Sequence, residues 1–168
     1  MRRRMLIVTV ALLLGLLGAA PALAAPTATQ SATMTGIEIS PGFVSGATRV
    51  GATFVGTSSG ELPGAWAVTV NYSPAALGPN VTNTIVGGSW YLAVFHDGEF
   101  DGVLWGDLSS GTVQWNAAGD AAALDATLTI TGGIGNFSSL QGGGGTFSGQ
   151  LSHRTFPPTI DGTLTLTH

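Results

Sequence analysis

The stretch SWYLAVFHDGEFDGVLW, residues 89–105, consists of two alternating runs on either side of Asp97-Gly98. An Asp-Gly pair in that position predicts a two-residue type I′ hairpin turn, because both central residues must accept positive φ. That turn sets a register in which His96 faces Glu99, Phe95 faces Phe100, Ala93 faces Gly102 and Tyr91 faces Leu104. One face of the hairpin then holds Tyr91, Ala93, Phe95, Phe100, Gly102 and Leu104, with no charge. The other holds Trp90, Leu92, Val94, His96, Glu99, Asp101, Val103, Trp105 and Asp107. A sheet with one buried and one wetted face gives such a split, and the uncharged face is assigned inward.

The same division recurs along the chain. Leu124, Ala126, Leu128 and Ile130 alternate with Asp125, Thr127, Thr129 and Thr131; Ile160, Gly162, Leu164 and Leu166 alternate with Asp161, Thr163, Thr165 and Thr167. Trp66, Val68, Val70 and Tyr72, and further on Phe147, Gly149 and Leu151, repeat it. Strands are expected at 48–57, 65–72, 81–86, 89–96, 99–108, 111–116, 122–131, 145–152 and 159–167, with a further one over 34–40. The connections are short, which favours antiparallel neighbours. Glycine recurs on the apolar set at Gly102, Gly149 and Gly162, as in a sharply coiled sheet closing on itself. The fold class is therefore all-β, an antiparallel closed barrel.

Composition narrows the function classes. The chain has 168 residues and no Cys, which removes disulfides, thiolate metal sites and a cysteine nucleophile. Arg2, Arg3 and Arg4 precede an apolar run from Met5 to Leu17 and the small-residue segment Ala22-Leu23-Ala24, the layout of a secretory signal peptide cut after Ala24. The run is too short for a retained membrane helix, which needs roughly 20 apolar residues. Cleavage leaves Arg49 and Arg154 against nine acids, a formal charge of −7. An acidic, lysine-free domain has no nucleic-acid surface. The expected product is secreted or extracytoplasmic, with no membrane attachment after cleavage. Residues 25–35 lack periodicity and read as a flexible leader, or at best a loosely held first strand, so the barrel domain is placed at 36–168.

The segment ATLTITGGIGNF, residues 126–137, followed by Gly142 to Gly149 and by IDGTLTL, residues 160–166, resembles the C-terminal half of the allene oxide cyclase and dirigent barrel superfamily. The resemblance covers Ala126 to Leu166 and is architectural over Arg49 to Trp115. It implies an eight-stranded, calycin-like antiparallel barrel with an apolar cavity, used in plant members to isomerise or couple reactive lipids and phenols. Ile134 stands where Thr is usual, and Ser138 to Gln141 replace the usual Ala-x-Gly continuation. No position matches the catalytic acids, arginines or pocket tyrosines of those families, so no catalytic residue is carried over.

The residues themselves offer little chemistry. Gly132, Gly133 and Gly135 lack the lysine and following helix of a phosphate loop and read as a strand-end turn pinned by Phe137. His96, Asp97, Glu99 and Asp101 crowd one hairpin end, yet a metal wants three or four converging ligands, so no metal and no cofactor is assigned. No Gly-x-Ser-x-Gly elbow exists. Glu61 sits in the loop between two strong strands and could overhang a barrel mouth. On the inward face only His153 and His168, near strand ends, are ionisable. Phe54, Trp66, Tyr72, Tyr91, Phe95, Phe100, Leu104, Trp115 and Phe147 are the candidate pocket-lining residues for an apolar ligand. The same side chains could equally fill an eight-stranded barrel solid. Three functions follow: a non-catalytic exported barrel that binds a small hydrophobic molecule or acts at the cell surface, a cyclase or isomerase working in an apolar cavity, and a threonine-array surface or ice binder. The second requires a real cavity with an inward polar group. The third is weakened because a twisted barrel is not flat.

Overall fold

A computed structural model describes residues 28–168. The proposed signal peptide lies outside them; among the described residues no helix is long and apolar enough to cross a membrane. The described residues form eight strands: β1 (Thr29–Ser45), β2 (Thr48–Gly60), β3 (Gly64–Ser73), β4 (Thr82–His96), β5 (Glu99–Trp115), β6 (Ala121–Gly135), β7 (Gly144–Ser152) and β8 (Thr159–Thr167). Each pairs antiparallel with its neighbours in chain order, and β1 pairs with β8, so the sheet is a closed barrel. One 3-10 turn, Ser138–Leu140, lies between β6 and β7.

Two corrections concern element boundaries. Residues 29–35 are no leader: Ala32 pairs with Gly60 on β2 and with Leu164 on β8, so β1 is held on both sides. The runs 81–86 and 89–96 are one strand, as are 99–108 and 111–116. Glycines at the expected breaks, Gly87, Gly88 and Gly111, take φ near +150° and bend the strands without ending them.

The Asp97-Gly98 turn has the positive φ values the sequence requires, 52° and 85°. Immediately after it the register departs from expectation. His96 pairs with Glu99 and Phe95 with Phe100, but Val94 pairs with Gly102, leaving Asp101 as an extra residue. A bulge of this kind reverses which side chains of one strand share a face with the other. Trp90, Leu92 and Val94 therefore point inward together with Leu104 and Leu108. Tyr91, Phe95 and Phe100 are a correction: they stand on the outer wall, 53%, 41% and 56% exposed.

Aromatic rings lie over glycines that leave them room. A Cβ on Gly36 would sit 2.6 Å from the Trp66 ring, and one on Gly162 would sit 2.6 Å from Phe147. Phe137 is buried after the Gly135 turn, pinning that strand end to the core as its position suggests. The outer positions Asp125, Thr127, Thr129 and Thr131 are exposed, as the alternation predicts.

Candidate ligand-binding lumen

The inner face encloses a cavity of about 50 Å³ at mid-barrel, bounded by Trp66, Val68, Val70, Trp90, Leu108 and Phe147 among others, nearly all apolar. Val68 and Phe147 are on the inner face of their strands yet only partly buried, since they border this void. A second, smaller space of about 10 Å³ lies toward the end of the barrel that carries the β3–β4 and β7–β8 loops. Val70 and Leu124 border both, so the two spaces lie side by side along the inner face.

The smaller space is polar on one side. Glu38 on β1, Tyr72 on β3, Trp115 on β5 and His153 after β7 converge there with Phe54 and Leu151. Glu38 is inward because the even positions of β1, starting at the buried Ala32 and Met34, face the lumen. Its side chain is 9% exposed, and its Oε2 lies 3.8 Å from Nε2 of His153. That nitrogen is enclosed and has no hydrogen-bond partner. The His153 ring meets Trp115 edge-on, with centroids 4.8 Å apart. Trp115 is itself fixed: its Nε1 donates to Oδ1 of the fully buried Asn83 at 3.0 Å, while Asn83 Nδ2 donates to the carbonyls of Pro74 and Ala76.

Burial raises the pKa of Glu38, with Arg49 drawing it partly back, and lowers that of His153. Both shifts favour the neutral forms. Burial pushes the Tyr72 hydroxyl up to about 12. The lumen thus ends in a carboxyl that takes a proton readily, an imidazole that gives one up readily and a phenol that keeps its own. Such a set can donate to or accept from one small polar group at this end.

Of the sequence-derived candidates, Phe54, Tyr72 and Trp115 border the polar end, and Trp66 and Phe147 the apolar middle. Leu104 is buried on the inner face without bordering either space. Phe95 and Phe100 border neither space and have their side chains outside; Tyr91 borders the apolar middle although it is 53% exposed on the outer wall. Glu38 is the residue the sequence reading missed. It lies between Ile37 and Ile39, whose side chains, 39% and 59% exposed, look like the buried face of β1 and are not. At the opposite end of the barrel, Glu61 borders a mouth with His96, Asp101 and His168. His96 Nδ1 and Asp101 Oδ2 are 3.1 Å apart. Among the described residues, no three His, Asp or Glu side chains converge as a metal site would need.

Comparison of the chain with protein-family models, with curated proteins and with solved structures finds no match.

Proposed function

We propose that the chain is an exported barrel that binds one small, mainly apolar molecule in its lumen without transforming it. What supports this is an apolar space at mid-barrel that shares the walls Val70 and Leu124 with an end where Glu38, Tyr72 and His153 can hold a single polar group. Size limits the guest. A cavity of about 150 Å³ accepts benzene, three times the roughly 50 Å³ here. A guest of few heavy atoms enters directly, while a ring needs side chains such as the flexible Met34 to move.

Trp66 and Trp90 border the middle of the lumen and Trp115 its polar end, so tryptophan emission reports occupancy. Titration of the full chain with 1-hexanol and with phenol is expected to give a saturable change that Val68→Trp, which fills the middle, abolishes. A linear, unsaturating response, or one unchanged in Val68→Trp, would overturn the reading.

A cyclase or isomerase akin to the allene oxide cyclase and dirigent barrels is favoured by one observation: a buried carboxyl and an imidazole face the cavity. Under that reading Glu38→Gln stops turnover of an allene oxide while leaving its binding intact; under the binding reading there is no turnover to stop.

A further inference from the structure

We infer that the outer wall of β4–β6 is a docking surface for a polypeptide segment that is both apolar and basic. The surface is built by the Asp101 bulge. On the outside of β4 and β5, Phe95 pairs with Phe100 and Tyr91 with Trp105, and Val103 lies between Ala93 and Ile134 of the flanking strands. The Phe95 and Phe100 rings meet edge-on at 5.7 Å. Tyr91, Phe95, Phe100 and Ile134 are each between 41% and 56% exposed, and no charged side chain interrupts them. Exposed apolar patches with polar rims mark interaction sites more often than not.

The rim selects the occupant. Asp97 and Glu99 are exposed on the turn beside Phe95 and Phe100, and Asp107 is exposed on β5 beyond Trp105. Next to the patch opens a mouth of about 320 Å³, bordered by Glu61, Asp101, Asn136 and Gln30 together with His96 and His168. Asp101 follows Phe100 and Asn136 lies two residues past Ile134, so mouth and patch share strands β5 and β6. Asp101 already accepts from Asn136 and faces His96, and Glu61 already accepts from Ser31, so the free acceptors are the exposed Asp97, Glu99 and Asp107, and their complement is a set of donors, the side chains of lysine or arginine. The described residues of a second copy offer no such complement. Among the described residues the arginines are Arg49 and Arg154; Arg49 donates to the carbonyls of Pro41 and Ala75, and Arg154 pairs with Asp120 at 3.0 Å, both at the far end of the barrel. The area agrees: four half-exposed side chains of about 100 Å² each reach roughly half the ~800 Å² per partner of a stable protein interface. A single extended or helical segment fits that footprint.

The test uses the full chain and a labelled synthetic peptide of alternating lysine and leucine, followed by fluorescence anisotropy, with a glutamate–leucine peptide as control. The basic peptide should bind, more weakly as salt rises, and the acidic one should not. Phe100→Ser combined with Tyr91→Ser, and separately Asp97→Lys combined with Glu99→Lys, should each weaken binding about tenfold or more, near 1.4 kcal/mol. Circular dichroism should show both variants folded, the aromatic pair because its side chains lie outside the core. Because Asp97 holds a positive-φ turn position, the charge pair is checked against Glu99→Lys combined with Asp107→Lys, which leaves the turn intact; phenol in the lumen should leave the affinity unchanged. The inference is overturned if the basic peptide does not bind, if both peptides bind alike, or if the two double variants bind as the parent does. It is equally overturned if sedimentation shows a dimer that the aromatic variant dissolves, or if phosphatidylcholine vesicles bind the patch in preference to the peptide.

Discussion

Glu38 shows how one side chain can decide what a barrel is able to do. Set among threonines and isoleucines on β1, it brings the one acid of the lumen to within 3.8 Å of His153. Because burial raises its pKa, the fold prefers the protonated form. The stability tied to this preference is fully present below the ordinary carboxyl value of 4.5 and is lost as pH rises through the higher folded value. His153 acts in the opposite sense: its preference for the neutral ring is present above 6.5 and lost as pH falls through its lowered folded value. Glu38→Gln is therefore expected to match the parent in denaturation midpoint near pH 4 and to exceed it at pH 7, where the parent carries a poorly solvated carboxylate. Equal midpoints at both pH values would show that the carboxylate is well solvated in the folded state. Nothing in the residue pattern foretold this position, because the two flanking isoleucines make the wrong face of β1 the greasier one. The alternation rule counts hydrophobicity, and here the outer wall is the more hydrophobic side.

At the level of strands, the hairpin turn was legible and the hairpin face was not. Asp97-Gly98 satisfies a local steric demand for positive φ, and local demands are readable from two residues. A bulge has no comparable signature: Asp101 is one acid in an alternating run, and its extra length is felt only when β5 meets β4 and β6 together. The faces of β6 and β8 were legible through their threonine rows, where each strand keeps its alternation throughout, whereas the count of eight was not, because the runs either side of Gly87-Gly88 and Gly111 read as separate strands. Deleting Asp101 should force either Leu104 outward or Leu92 and Val94 out of register, and each buried side chain so exposed costs about 1.5–3 kcal/mol. We expect the deletion to lower unfolding free energy by more than about 3 kcal/mol, whereas Asp101→Ser, which keeps the spacing, should cost less than about 1 kcal/mol. Urea denaturation of the two variants separates spacing from chemistry; equal losses would mean that the carboxylate and not the extra residue shapes the hairpin.

Over the whole molecule, the walls divide the labour. The β6–β8 side shows hydroxyls and acids to solvent, the β4–β5 side shows aromatics, and the interior is filled from both. This two-sidedness could not be read from composition, since a barrel needs its oily residues inside and the sequence holds more of them than the inside can take. The first and last strands lie side by side, with Ala28 and His168 exchanging backbone hydrogen bonds of 2.9 and 3.1 Å. A permuted chain beginning at Gly98, with His168 joined to Ala28 by a short linker, should keep the far-ultraviolet spectrum and a single cooperative melt. A broad or biphasic melt would show that the original order of strands is itself required. A hoop of paired staves also has no outermost member to peel away, so thermal or mechanical damage must part a ladder gripped from both sides before anything can unravel. Such a molecule is expected to fail all at once and to spend little time half-open.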